Sequence, residues 1–164
     1  MLRIDGKEIA ARIIEELKKR PRPDKALAAV LVGSDPSSLS FLDAKEKAAC
    51  KLGIDFRLYQ LSDLVSEDEV EERVRELSNN EKVGGVIVQL PLPKRFNRDK
   101  ILASIGQNKD VDALTAGALV LSPAVTTAQA ILKEVDWQSE EKLVAVVGLG
   151  FLVGKPIVKW LEKN

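Results

Sequence analysis

The chain has 164 residues, 45% of them apolar, enough to bury one substantial core with part of a second lobe. Its 25 basic and 25 acidic residues cancel, so no net field draws it to nucleic acid or an anionic membrane, and no apolar run approaches the length of a bilayer span. Histidine is absent, which excludes serine–histidine triads and histidine-based zinc sites and leaves proton transfer to Lys, Asp, Glu, Tyr or the thiol.

Residues 7–19 place Ile9, Ile13, Ile14 and Leu17 at helical spacing, and Pro21-Arg22-Pro23 stops that helix. Ala26–Val32 reads as a buried strand closed by Gly33-Ser34-Asp35-Pro36. Ser37 or Ser38 is expected to cap a second helix running to about Leu52, before Gly53. Residues 54–61 form the second expected strand, and Ser66-Glu67-Asp68-Glu69 is a capping box opening a helix to about Leu77. A third strand spans 83–89 and ends at Leu90-Pro91-Leu92-Pro93. A short helix at 98–105 precedes Asn108-Lys109-Asp110-Val111-Asp112, a further helix covers 126–135, and 143–147 is the fourth expected strand. After it come Gly148-Leu149-Gly150-Phe151-Leu152-Val153-Gly154-Lys155-Pro156 and an apolar, helix-like tail.

Alternating strands and helices, with strands that are continuously apolar, indicate an α/β protein: a three-layer lobe around a mostly parallel sheet. The expected organisation is a lobe over residues 1–121, a connecting helix and linker over 122–142, and the truncated start of a Rossmann-like nucleotide-binding domain over 143–164. The lone Cys50 cannot form an internal disulfide, which fits a reducing, cytoplasmic setting, and the residue set suggests no metal.

Several positions can carry chemistry. Lys45 lies on a helix that follows a strand end, with Phe41 one turn before it and Lys47 close by. Carboxyl ends of parallel strands face the ligand crevice, and a second cation with an apolar wall favours the neutral amine that proton transfer needs. Set against this is an ordinary solvated helix lysine. Gln89 ends the third strand, where its amide can donate and accept at a heterocycle edge or simply cap the strand. Asp110 and Asp112 point the same way if the backbone is extended, and then hold a donor-rich ligand or form a plain acidic turn. In the Gly148-x-Gly150-x-x-x-Gly154 turn, with Pro156 in the first helical turn, backbone amides can receive a pyrophosphate.

These segments, in this order, resemble the bifunctional methylenetetrahydrofolate dehydrogenase/methenyltetrahydrofolate cyclohydrolase family. The likeness runs through Ile4-Asp5-Gly6-Lys7, Val32-Gly33-Ser34-Asp35-Pro36-Ser37-Ser38, Phe41-x-x-x-Lys45-Glu46-Lys47, Val88-Gln89-Leu90-Pro91-Leu92-Pro93, Lys109-Asp110-Val111-Asp112 and Val153-Gly154-Lys155-Pro156. The resemblance implies oxidation of 5,10-methylenetetrahydrofolate with NADP (NAD in some members) and hydrolysis of the methenyl product to 10-formyltetrahydrofolate. It makes Lys45 the proton-transfer residue, Gln89 its support, and Asp110 or Asp112 the aspartate on the pterin edge. Phe41, Leu90 and Pro91 would complete the folate site, while Gly148, Gly150, Gly154, Lys155 and Pro156 would face the cofactor.

Departures from the family pattern bear on single steps. Phe41 stands where the family has tyrosine, keeping the aromatic face and losing the hydroxyl. Leu149-Gly150 replaces the family's Arg-Ser, Ala113 replaces a glycine, and Val125-Thr126-Thr127-Ala128 stands near the place of its Pro-Cys-Thr-Pro string. The expectation is a folate-site protein with an impaired dehydrogenase step, self-associating through its last strand and helix. The alternative is a non-catalytic folate-binding or oligomerising module.

Overall fold

The computed structural model describes residues 3–137 and 143–163. Three strands, β1 (Ala26–Val32), β2 (Phe56–Leu61) and β3 (Val83–Val88), form an all-parallel sheet in the order β2-β1-β3. The central position falls to the most apolar strand. Six residues of β1, all but Leu27, are buried, because both its edges are paired and both its faces covered.

Parallel neighbours require crossover helices. Helix α2 (Pro36–Lys51) joins β1 to β2, and α3 (Glu67–Asn79) joins β2 to β3. One face of the sheet packs Val30, Val86 and Val88 against Val70, Val74 and Leu77 of α3, and against Ile101 and Leu102 of α4 (Arg98–Ala103). The other face packs Ala29, Leu31 and Ile87 against Leu39 and Leu42 of α2. The expected three layers are present.

Local chemistry sets the helix ends. Helix α2 is capped by Asp35, whose carboxylate accepts from the Ser38 amide at 2.8 Å, rather than by Ser37 or Ser38; Pro36 then takes the first helical turn. That amide holds the Asp35 carboxyl below its usual range. Helix α3 has the expected capping box: the Glu69 amide donates to the Ser66 hydroxyl at 3.3 Å, and the Ser66 amide donates to the Glu69 carboxylate at 2.9 Å. Helix α4 is tied to α3 through Lys100, which meets Glu71 at 2.7 Å and Asp68 at 3.3 Å; these acids push its pKa up.

Beyond β3 the chain returns along its free edge. The Val86 amide donates to the Lys109 carbonyl at 2.8 Å, and Asp110 forms an isolated parallel bridge with Val86. The Lys109 ammonium turns inward and donates to the carbonyls of Asn80 and Val83, tying this strap to the end of α3 and the start of β3. The strap therefore turns at Asp112 instead of running on as a strand.

Helix α1 (Gly6–Lys18) packs beside α5 (Pro123–Glu134), with Arg12 paired to Glu134, and α5 in turn contacts α6 (Gly154–Leu161). Helix α5 lies in the expected connecting stretch; positions 138–142 of that stretch, with Met1, Leu2 and Asn164, lie outside the described residues. The expected fourth strand at 143–147 is not formed. Those residues have strand composition, but no strand among the described residues pairs with them, and Leu143 and Val147 stand almost wholly in solvent (102% and 99% exposed).

The capping box supports a stability measurement. The Ser66 hydroxyl and amide hold the Glu69 carboxyl below its usual range, so the charged form is favoured on folding. This contribution is complete above the ordinary carboxylate range and disappears as pH falls through the lowered native value. Ser66→Ala is expected to cost about 1 kcal/mol in urea unfolding at neutral pH, with the deficit shrinking as Glu69 becomes protonated.

Candidate functional site

Helix α2 places Phe41 and Lys45 one turn apart, on the same side. The Lys45 ammonium meets the Asp112 carboxylate at 2.9 Å, joining α2 to the strap beyond β3 across 67 positions of sequence. Both side chains keep partial access to solvent, 34% for Lys45 and 20% for Asp112. Lys47, expected as a second cation beside Lys45, instead pairs with Asp43 at 2.6 Å on its own helix. The group next to Lys45 is an acid.

The two candidate aspartates have different partners, and the chain turns at Val111 and Asp112, so the extended backbone that would point them the same way is not formed. Asp110 is 2% exposed, and its two carboxylate oxygens accept from the amides of Leu114 (3.0 Å) and Thr115 (2.7 Å). Those bonds fold the loop after the strap. Asp112 instead meets Lys45. Ala113 follows with φ +52°, a left-handed conformation that a glycine would adopt without strain.

Gln89 ends the sheet beyond β3. Its amide donates to the Val30 carbonyl at 2.9 Å, and its side-chain nitrogen donates to the Leu90 carbonyl at 2.7 Å, across a cis Leu90–Pro91 bond. The side chain is buried and fixed against the loop that follows. That loop is braced by Arg95, which donates to the carbonyls of Val65 (2.7 Å) and Asp63, and whose guanidinium stacks on Phe96.

Two cavities adjoin these elements. One of about 620 Å³ lies between Leu90, Pro91 and Leu92 and the glycine turn at Gly150, Phe151 and Leu152. Another of about 800 Å³ lies between Asp112, Thr115, Leu102 of α4, and Lys155 and Trp160 of α6. Arg98 lines both, with its guanidinium 4.0 Å from the centre of the Phe151 ring. Sequence reasoning missed Arg98, and no local motif marks it. Phe41, 64% exposed, lies with Lys45 and Gln89 outside both linings.

The glycine turn explains its own composition. Gly148 has φ +93°, and a Cβ on Gly154 would collide with the Gly148 carbonyl. The amide of Lys155, at the start of α6, already donates to the Gly150 carbonyl at 3.1 Å. That amide, one of those a cofactor pyrophosphate would use, is engaged within the turn. Leu149 supplies no cation beside it.

Comparison with known proteins agrees with this architecture. The family described as tetrahydrofolate dehydrogenase/cyclohydrolase, catalytic domain, matches residues 4–112. The bifunctional protein FolD of Aquifex aeolicus is 37% identical over 172 residues, covering 94% of this chain and 59% of that protein. The crystal structure of the bifunctional FolD enzyme of Campylobacter jejuni superposes with a TM-score of 0.91 at 30% identity, covering 96% of this chain and 62% of the other. The Trypanosoma brucei methylenetetrahydrofolate dehydrogenase-cyclohydrolase, solved with NADP cofactor and inhibitor, has a TM-score of 0.90 at 25% identity, over 98% of this chain and 61% of that one. The chain thus spans about three-fifths of the length of these relatives. With a family match over residues 4–112 and the same fold throughout, the chain belongs to the tetrahydrofolate dehydrogenase/cyclohydrolase family.

Proposed function

We propose that this chain binds a tetrahydrofolate derivative beside the Lys45–Asp112 pair and acts in one-carbon metabolism through cyclohydrolase-type chemistry. The observation that carries this reading is the 2.9 Å contact between the two side chains, built from a helix and a strap far apart in sequence. In the resting site Asp112 neutralises and orients the ammonium. A pterin edge rich in N–H donors competes for that carboxylate and releases Lys45 toward the one-carbon bridge. Lys45 enters the step as the free amine, its ammonium proton having passed to solvent. Water adds to the carbon of the methenyl cation as the amine takes one of its protons. Lys45 returns that proton to the leaving nitrogen as the C–N bond opens and the hydroxyl proton goes to solvent, leaving the formyl group on the other nitrogen and one net proton released. Gln89 and the braced loop at Leu90 and Pro91 support the folate side of the site.

The dehydrogenase half is impaired in this reading. Support comes from the Lys155 amide, which the Gly150 carbonyl engages, and from Leu149, which replaces a cation expected beside the nucleotide. The cytoplasm is the compartment that suits a free, exposed Cys50. A second reading, a non-catalytic folate-binding module, draws on Phe41, whose exposed ring can stack on a ligand but has no hydroxyl to offer near Lys45. Self-association goes with either reading, through the exposed Leu143, Val147, Leu149 and Leu152.

The decay of 5,10-methenyltetrahydrofolate absorbance separates the two readings. Acceleration by the chain that falls by about a hundredfold or more in Lys45→Ala supports catalysis. Phe41→Tyr is then expected to raise turnover by about tenfold. Folate binding with no Lys45-dependent acceleration supports the module.

The two aspartates are expected to separate as well. Asp110→Ala strands two loop amides and costs about 1–3 kcal/mol in urea unfolding. Asp112→Ala breaks a partly exposed pair, costs less than about 1 kcal/mol, and weakens tetrahydrofolate binding. Sedimentation velocity checks assembly: a concentration-dependent dimer is expected, and a clean monomer at high concentration would remove the self-association reading.

A further inference from the structure

We infer that Gly85 is a positioning residue for the Lys45–Asp112 pair, because the space left by its missing side chain seats Val111 against β3. This rests on the reading of that pair as the folate site. Gly85 lies on β3 in register with Leu27, two residues before Ile87, so a side chain there would project onto the α2 face. A Cβ built on Gly85 would stand 2.5 Å from Cγ1 of Val111, 3.3 Å from its Cγ2 and 3.2 Å from Cδ1 of Leu27. The backbone of Gly85 is not in the left-handed region, so space rather than conformation requires glycine.

The strap approaches from the free edge of β3. Asp110 is held in line with Val86 by the bridge, and by the two amides its carboxylate accepts. Val111 then lies over Gly85, on the face of the sheet that α2 covers. The next residue, Asp112, reaches Lys45 of that helix. A Cβ at position 85 forces the Val111 methyl groups away. A β-branched side chain has few rotamers to turn into, so the inferred response is that Val111 lifts and carries Asp112 with it, while Asp110 stays anchored. An ångström of displacement is enough to separate an ion pair of this length from its productive geometry.

The test compares the unaltered chain with Gly85→Ala and with Gly85→Ala/Val111→Ala, in which the facing methyl groups are removed. One readout is the NMR signal of the Lys45 side chain and its response to Asp112→Asn; the other is titration with tetrahydrofolate. Gly85→Ala is expected to keep the native far-UV circular dichroism, to lose the response of Lys45 to Asp112→Asn, and to bind tetrahydrofolate about tenfold or more weakly. The double variant is expected to restore both. An unchanged Lys45 response in Gly85→Ala, or a loss that the double variant does not rescue, overturns the inference. Misfolding of both variants also overturns it, since Gly85 would then serve the core and not the pair. If the unaltered chain does not bind tetrahydrofolate, the folate reading fails, and the NMR comparison alone decides the role of Gly85.

Discussion

Because β1 is paired along both edges and covered on both faces, its neighbours can join it only by crossing over a face of the sheet. That constraint brings the carboxyl ends of β1 and β3 side by side and sends α2 and the Gln89–Pro91 loop out from adjacent points. Fully burying side chains such as Val30 and Leu31 contributes about 1.5–3 kcal/mol each. A slip of one residue would turn every such side chain to the opposite face, so the register resists change. The strap then inherits its position from β3, through the Lys109 carbonyl on one side and the buried Lys109 ammonium on the other.

Electrostatics in this molecule divides by sequence distance. Pairs such as Lys18–Glu15, Lys47–Asp43 and Arg73–Glu76 lie within one helix turn, are exposed, and add only tenths of a kcal/mol each. Lys45–Asp112 and Lys100–Glu71 join separate elements. The second clamps α4 to α3, with Glu71 mostly out of solvent. The first is shared between a helix and a strap and keeps partial exposure on both sides. An ion pair that a ligand can compete for must be reachable by that ligand, and this one is.

The three-strand lobe was legible in the sequence because its signals are local. Apolar runs mark β1 and β3, Ser66-Glu67-Asp68-Glu69 marks the start of α3, and Pro91 and Pro93 mark the exit from the sheet. The cap of α2 is Asp35 and neither Ser37 nor Ser38, since Pro36 in the first helical turn makes the residue before it the cap. The site was legible as a set of residue types, not as a geometry. No spacing rule connects Lys45 to Asp112, nor tells Asp110 from Asp112, since the difference lies in which carboxylate the amides of Leu114 and Thr115 consume.

The segment at 143–147 shows the limit of composition as a guide. Apolar, β-branched residues fit a strand only when a neighbour completes the ladder, and the described sheet ends at the strap on one side and at β2 on the other. What docks the following turn is therefore a side-chain contact: Phe151 against the core, under the guanidinium of Arg98. Such a cation–π contact adds about 0.5–1 kcal/mol at an exposed site, far less than a ladder of backbone bonds. The opposite wall of the same cavity, at Leu90 and Pro91, is braced by Arg95 through two backbone carbonyls. One wall is thus braced by the lobe, and the other is held by the Phe151 ring together with the packing of α6 on α5.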